Sequence, residues 1–305
     1  MTITGLTEIE IKELVPQVDS ITRVVAGGQK TVFKVRIKGK YYALKVLRLE
    51  GRPPGAPEGE ATEDEPPQPE EAYSRALREV QILSECNIPE IVRLGPVSLR
   101  AAEAGQEYLI LYTEEWISGR DVRTVIEQDG PLSIAEVVRL GRDVNRAIEK
   151  LWSLAKIHRD IKPANIMQRA PGAGYVLLDL GLALDLQDVS LTNTGQVPGT
   201  LPYFSPEQLD FMRKRNMDFR SDMYSLGVVM YEATTGKHPY WKPGMKSNDT
   251  IGCILGAKPA KPSDIRKEVP PGLEEVILRL LAKSPHLRYR TCEQLDASLE
   301  AVAVG

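Results

Sequence analysis

The sequence has few cysteines, no marked excess of charge and no long apolar run. Three cysteines occur in 305 residues, and the formal net charge is −3. Scattered cysteines in odd number do not make a disulfide framework and are typical of a reducing compartment. No apolar stretch approaches the roughly 20 residues needed to cross a membrane, and the N-terminus lacks the basic and apolar regions of a signal peptide. We therefore expect a cytoplasmic protein that does not enter a membrane.

The balance of charges also bears on the choice of partners. Lys and Arg number 39 against 42 Asp and Glu, and no basic run is interleaved with aromatic residues. These properties give no reason to expect a nucleic-acid partner. The length is sufficient for one large domain or two modest domains with a substantial core.

A short polar segment from His158 to Asn165 concentrates residues that can do chemistry. It reads His-Arg-Asp-Ile-Lys-Pro-Ala-Asn and lies between two apolar elements. Downstream, the apolar run 175–178 predicts a buried strand that ends at Asp179. Upstream, apolar residues at helical spacing follow Ser133 and Glu136, which form a capping-box pattern. These apolar residues are Val137, Leu140, Val144, Ile148 and Leu151.

Two acids and an amide are thus expected close together, namely Asp160, Asn165 and Asp179. Oxygen ligands of this kind suit a hard divalent cation that also binds phosphates, as Mg²⁺ does. Any one of these residues taken alone is better explained as a turn residue, because Asp and Asn favour loops.

The whole segment resembles the catalytic loop of protein kinases, and Asp179-Leu180-Gly181 resembles their metal-binding Asp-Phe-Gly element, with Leu in place of Phe. The chain is similar to eukaryotic-type (Hanks-type) serine/threonine protein kinases, in particular to soluble bacterial members. The resemblance implies an α+β bilobal fold. A small, mainly antiparallel N-lobe with one key helix would span 1–115, and a larger helical C-lobe 116–305, together forming one kinase domain. ATP and Mg²⁺ are the cofactors that it implies.

The N-terminal part contains candidates for a lysine–glutamate ion pair. Phe33, Val35 and Ile37 alternate with basic residues in a predicted strand, and Gly39 turns the chain into a second strand at 41–47. Lys45 lies in this second, apolar strand, where an unpaired ammonium is costly to bury. Glu79 shares a helix face with apolar neighbours. We predict that the two residues pair, and the resemblance implies that the lysine then binds the α- and β-phosphates of ATP.

Other nucleotide contacts follow from the resemblance alone. The glycine-rich turn would lie at Gly27 and Gly28, although a Gly-Gly pair between strands is more often a simple hairpin turn. Val32 and Ala43 would line the nucleotide. A strand at 108–112 precedes the segment from Glu114 to Gly119, which is similar to the hinge between the lobes, and backbone groups of Glu115 and Ile117 would contact adenine there. Asp121 follows, either as an acid that reaches ribose or substrate, or as a helix N-cap.

The resemblance implies a separate catalytic role for each residue of the site. Asp160 would accept or orient the proton of the substrate hydroxyl, and Lys162 would contact the γ-phosphate. Asn165 and Asp179 would hold the magnesium ions. Lys162 together with Thr200 is the serine/threonine pattern within the family, so we expect protein substrates with Ser or Thr acceptors.

The segment 199–207 resembles the end of an activation segment, with Ser-Pro-Glu replacing Ala-Pro-Glu. Arg159 would receive a phosphate from the activation segment that ends there, on Ser190, Thr192 or Thr194, unless these hydroxyls simply belong to a solvated loop. The remaining implied roles are structural: they belong to His158, Arg159, Asp222, Glu207 and Arg288, with Arg288 paired to Glu207 and Asp222 bracing the catalytic loop.

Residues 51–71 have a composition unlike that of the rest of the chain. Prolines alternate with acidic residues and almost nothing is apolar, which is typical of a flexible insertion. The segment either binds a basic partner or is a neutral, solvated insertion.

Two other functions are compatible with parts of the sequence. A pseudokinase, acting as an ATP-binding or scaffolding module, is disfavoured because Lys45, Glu79, Asp160, Asn165 and Asp179 are all present, although the glycine-poor turn favours it. A small-molecule kinase of the aminoglycoside or choline type is disfavoured by the Lys162 pattern and by the segment 200–207.

Overall fold

The computed structural model describes residues 6–27, 30–49, 69–104, 107–170, 172–180, 184–185, 201–209 and 217–302. The chain divides into two compact units. The first contains residues 1–87 and 92–117, and the second contains residues 88–91 and 118–305. The sequence-based division into 1–115 and 116–305 stays a prediction about domain organisation.

The first unit is built on an antiparallel sheet of five strands in the order β1-β2-β3-β5-β4. Its strands are β1 (Ser20–Gly27), β2 (Lys30–Ile37), β3 (Lys40–Leu49), β4 (Arg100–Ala104) and β5 (Glu107–Glu115). Alternation of apolar residues sends Phe33, Val35 and Ile37 into a buried cluster that also contains Ile11 of helix α1 (Glu8–Leu14). A capping box between Thr7 and Glu10 begins α1.

The opposite face of this sheet packs on helix α2 (Pro69–Glu85). Ala76 of α2 lies in one buried cluster with Leu49, Ile110 and Tyr112 of the strands. Helix α2 corrects one prediction, because residues 69–71 belong to a helix and not to the flexible insertion assigned to 51–71. Proline is well suited to the first position of a helix, where its missing N–H leaves no hydrogen bond unmade. Acidic residues in the first turn favour the same start.

The second unit is mainly helical. Helix α4 buries the apolar face that the sequence predicts, and α6 is buried along almost its whole length. Short strands form a pair, β7 with β10, and a sheet in the order β6-β8-β9. The helices are α3 (Val122–Asp129), α4 (Ile134–Ser153), α5 (Pro206–Leu209), α6 (Phe219–Thr235), α7 (Ser247–Gly256), α8 (Pro262–Ile265), α9 (Pro271–Leu280) and α10 (Cys292–Glu300). The strands are β6 (Arg120–Asp121), β7 (Lys156–Ile157), β8 (Ile166–Gln168), β9 (Tyr175–Leu177) and β10 (Leu184–Asp185).

The described helices agree with several capping signals in the sequence. Ser133 accepts a hydrogen bond from Glu136 N at the start of α4, and Gly236 ends α6 with a left-handed φ of 69°. None of the helices in the described part of the chain combines the length and the apolar character that a membrane span requires.

The predicted α+β fold class, with an antiparallel sheet followed by a helical part, is confirmed.

Candidate active site

The polar segment 158–165 forms a loop between β7 and β8, closed by a 3₁₀ turn at Pro163–Asn165. Proline begins this turn, and Asn165 N donates to Lys162 O at 2.9 Å. The side chains of the loop meet because they are separated by only a few residues. The contacts among these side chains are therefore local in the chain.

Asp160 lies at the centre of the loop contacts. Lys162 Nζ lies 2.9 Å from Oδ1 and 2.8 Å from Oδ2 of this carboxylate. Asn165 Nδ2 donates to Oδ2 and to the backbone carbonyl of Asp160, both at 2.9 Å. Asp160 is buried, with 6% of its surface exposed. Two side chains of the same loop thus hold the carboxylate in a single orientation.

Asp222 of α6 braces the loop by hydrogen bonds to its backbone. Its Oδ2 accepts from His158 N at 2.7 Å, and its Oδ1 accepts from Arg159 N at 2.8 Å. Burial raises the pKa of Asp222, while His158 and these two backbone donors act in the opposite direction. The braced backbone is unusual, because Arg159 has a φ of 69°, in the left-handed region that non-glycine residues seldom adopt.

His158 connects the loop to the strand that carries Asp179. Its Nδ1 accepts from Asp160 N at 3.2 Å, so the ring proton lies on Nε2, which donates to Leu178 O at 3.1 Å. Leu178 N donates to Asn165 O at 2.8 Å. Asp179, the next residue, is half-buried and has a φ of 62°. The loop and the end of β9 are therefore tied together at Leu178.

In the first unit, the structure brings Lys45 and Glu79 together. Lys45 Nζ lies 2.7 Å from Glu79 Oε1, and Tyr112 Oη donates to Glu79 Oε2 at 2.7 Å. Lys45 also pairs with the carboxylate of Glu114. All four side chains are buried. We call this set, made of Lys45, Glu79, Tyr112 and Glu114, the lysine cluster.

Sequence reasoning assigned Glu79 to the lysine and missed Glu114, which it grouped with the hinge. The strand β5 extends to Glu115, beyond the predicted end at 112, and this extension carries Glu114 into the sheet. A signal was available, because residues two apart in a strand share a face. A strand that continues to residue 114 therefore predicts that Tyr112 and Glu114 lie on the same face of the sheet.

The other predicted nucleotide contacts lie on or near the same sheet. Val32 pairs with Lys45 across β2 and β3, and Ala43 lies two residues before Lys45, so both share its face, and both are half-buried. Gly27 pairs with Lys30 at the end of the β1–β2 hairpin. Ile117 is buried.

Part of the hinge backbone is engaged within the first unit, because the Glu115 N–H donates to Arg93 O at 2.8 Å. The extension of β5 explains this, because a strand residue uses its backbone groups within the sheet. Contact of adenine with the remaining backbone groups of Glu115 and Ile117 stays a prediction. Asp121 caps α3, with Oδ1 accepting from Thr124 N at 2.9 Å. This contact agrees with the interpretation of Asp121 as a helix N-cap.

Glu207 and Arg288 form a buried ion pair in the second unit. Arg288 Nη1 lies 2.6 Å from Oε1 and Nη2 lies 3.0 Å from Oε2 of Glu207. Ser221 Oγ donates to Glu207 Oε1 at 2.8 Å. Burial by itself raises the pKa of Glu207, but Arg288 and Ser221 more than offset this and hold the pKa below its usual value. Sequence reasoning did not identify Ser221.

Several predicted residues fall outside the described part of the chain, and the contacts expected of them stay predictions. These are Gly28, Ser190, Thr192, Thr194, Thr200 and the insertion up to residue 68.

Comparison with known proteins places the chain beside one family along most of its length. The pattern of the protein kinase domain matches residues 24–299. The serine/threonine-protein kinase PknB of Mycobacterium leprae is 34% identical over 235 residues, which cover 76% of this chain and 36% of PknB. A probable serine/threonine-protein kinase of Clostridium perfringens, CPE1738, is 28% identical over 279 residues, covering 90% of this chain and 37% of that protein. The chain therefore spans little more than a third of the length of these relatives.

Proposed function

The chain belongs to the protein kinase domain family, and from this we propose that it is an ATP-dependent serine/threonine protein kinase. It would transfer the γ-phosphate of ATP to Ser or Thr hydroxyls of protein substrates, its own activation segment among them. One observation carries the proposal: the Asp160 carboxylate is held by Lys162 and Asn165 in a loop braced by Asp222. A fixed carboxylate beside a lysine is suited to orienting a hydroxyl for attack on a phosphate.

Asp160 is the proposed catalytic base. A substrate hydroxyl within hydrogen-bond reach of its carboxylate would give up its proton as the oxygen bonds to the γ-phosphorus. The bond from phosphorus to the β–γ bridging oxygen breaks, and ADP leaves with that electron pair. Because the transition state is loose, positioning and charge neutralisation contribute more than proton transfer.

Lys162 is the proposed charge partner of the transferring group. Its side chain is 18% exposed, against 7% for Asp160, so the ammonium can contact a phosphate while it remains beside the carboxylate. A positive charge at this point would stabilise the charge that spreads over the phosphoryl oxygens in the transition state.

Asn165 and Asp179 are the proposed magnesium ligands. The Asn165 amide nitrogen donates to Asp160, which leaves the amide oxygen as the atom able to bind a cation. Among the described residues, no group of three or more His, Cys, Asp and Glu side chains could hold a metal ion unaided. One carboxylate and one amide nevertheless fit Mg²⁺, which binds through one or two protein oxygens together with phosphates and waters. The bound ion would neutralise phosphate charge.

Lys45 is the proposed ligand of the α- and β-phosphates, oriented by Glu79. Val32 and Ala43, which lie on the face of Lys45, would contact adenine. Backbone groups of Glu115 and Ile117 would complete the adenine site. Gly27 would approach the phosphates from the hairpin.

We further propose that the protein acts in the cytoplasm. Three free cysteines, Cys86, Cys253 and Cys292, support this location, because such thiols are typical of a reducing compartment. A basic partner for the acidic insertion stays a prediction, as does phosphorylation of Ser190, Thr192 or Thr194.

Transfer of labelled phosphate tests the proposed function. Purified protein is incubated with γ-labelled ATP and Mg²⁺, alone and with a generic basic protein, and the labelled residues are identified by phosphoamino-acid analysis. We expect label on Ser or Thr, and we expect Asp160→Asn to reduce kcat by about 10²–10⁴-fold, the usual contribution of a general base. The exposed Asp249→Asn is the control for charge. ATP binding without any transfer by the wild-type protein would instead identify a pseudokinase.

A further inference from the structure

Lys45 has two carboxylate partners where the proposed function requires one. Glu79 of α2 and Glu114 of β5 both pair with its ammonium. The side chains are almost fully buried, at 7% exposure for Lys45 and 4% for each glutamate. Glu114 is therefore built into the proposed phosphate site as firmly as Glu79.

The strand register explains how Glu114 reaches the lysine. Lys45 lies opposite Tyr112, and Ala43 lies opposite Glu114, in the antiparallel pair β3–β5. Side chains two residues apart share a face of the sheet, so Lys45, Tyr112 and Glu114 all point to the side covered by α2. A residue on the other face of β5, such as Leu111, enters the opposite core.

The charges of the lysine cluster are unbalanced. It contains one ammonium and two carboxylates, and the fourth side chain, Tyr112, is a hydrogen-bond donor to Glu79. Burial raises the pKa of Tyr112 well above its usual value, so the phenol stays neutral and adds no charge. Charges act strongly on one another away from water. An approaching polyphosphate therefore meets an ammonium that already has two carboxylate partners.

We propose that Glu114 is a positioning residue that sets the affinity for nucleotide phosphates by competing with them for Lys45. Glu79 orients the lysine, and Glu114 weakens its attraction for the α- and β-phosphates. The inference rests on the proposed function, because it assigns Lys45 to those phosphates. A purely structural role for Glu114 makes a different prediction, since loss of packing would affect all ligands of the site alike.

Glu114→Gln separates the two roles, because it removes the charge while it keeps the shape and a hydrogen-bond acceptor. Binding of ATP, ADP and adenosine is measured by calorimetry for the whole chain. We expect ATP to bind about tenfold more tightly to the variant, which equals about 1.4 kcal/mol. The gain should be smaller for ADP and absent for adenosine, because it scales with phosphate charge. KM for ATP should fall, and kcat should change by a smaller factor than KM.

Two further variants make the experiment decisive. Glu103→Gln makes the same charge change at an exposed position of β4 in the same sheet, and its affinities should equal those of the wild type. Glu114→Met removes both the charge and the hydrogen-bond acceptor, and this variant should also bind ATP more tightly. Folding of each variant is judged by circular dichroism and Tm. Glu114→Met replaces Glu114→Gln in the experiment if Glu114→Gln does not fold.

Each outcome has a distinct meaning. Wild-type protein that binds and uses ATP, with Glu114 variants that bind it no more tightly, would overturn this inference and leave the proposed function intact. An equal gain for adenosine would overturn it in favour of a packing effect. Wild-type protein that neither binds ATP nor transfers phosphate would overturn the proposed function, and this inference with it.

Discussion

The lysine cluster and the catalytic loop are both buried polar groups, but they are assembled in opposite ways. Lys45 lies 34 residues from Glu79 and 69 residues from Glu114 along the chain. Asp160 lies two residues from Lys162 and five from Asn165. The lysine cluster also joins two carboxylates to one ammonium with almost no exposure, whereas the Lys162 side chain is partly exposed. The difference teaches that the first group depends on tertiary packing for the contacts among its members, whereas the second makes its internal contacts within one short loop.

The largest effect on stability is expected for the lysine cluster. Lys45→Met should lower the free energy of unfolding by about 3–5 kcal/mol, because Glu79 and Glu114 are left buried without their cation. Lys162→Met should cost less, about 1–2 kcal/mol, because the Lys162 ammonium is partly exposed and Asp160 keeps the hydrogen bond from Asn165 Nδ2. Urea unfolding followed by circular dichroism measures both, with the exposed Lys40→Met of β3 as control. Equal losses of unfolding free energy in Lys45→Met and Lys162→Met would contradict the stronger dependence of the lysine cluster on its buried cation.

A buried pair in the second unit provides a reference value. Arg288→Met should destabilise the protein by about 3 kcal/mol, because Glu207 loses a two-point partner and stays buried. The exposed Arg290→Met is the matched control in the same urea experiment. If Arg288→Met lowers the free energy of unfolding no more than Arg290→Met does, loss of a buried ion-pair partner is not strongly destabilising in this protein.

The support beneath the catalytic loop is expected to have a smaller effect. Asp222→Asn should cost about 1–3 kcal/mol, because one amide oxygen replaces two carboxylate oxygens that accept from His158 N and Arg159 N. The measurement is again urea unfolding, and kcat should fall as well because Asp160 is less well positioned. Asp249→Asn at an exposed site is the control. A stable variant with unchanged kcat would show that the loop holds its own geometry.

The smallest effect concerns pH. The pKa of Glu207 is lowered from 4.5 in the folded protein, so its pair contributes stability that is fully present above pH 4.5 and is lost as the pH falls through the lower, folded pKa. In Arg288→Met only burial and weaker contacts remain, and the pKa should rise. The variant should therefore lose less stability than the wild type on acidification below pH 4.5. Urea midpoints between about pH 3 and pH 6 test this sign, and parallel curves would contradict it.

Much of the fold was predictable because local patterns agreed with the final packing. The apolar spacing of α4, its Ser133 cap and the alternation of β2 were all read correctly from the residues. The start of α2 was missed because the composition of 51–71 was treated as uniform, although a proline and acidic residues also suit a helix start. The pattern of apolar residues predicts an end of β5 at 112, whereas the strand continues through the polar residues Glu114 and Glu115.

The sequence by itself determined the catalytic loop, because residues two to five positions apart meet whenever a short turn forms between them. It also determined that Lys45 needs a buried partner, since an unpaired ammonium is costly in an apolar strand. The apolar face around Glu79 predicted the first partner, but only the tertiary structure decided that Glu114 is a second partner of Lys45. The register of β3 with β5 brings Glu114 to the ammonium that Glu79 also contacts, and the sequence pattern does not predict that register.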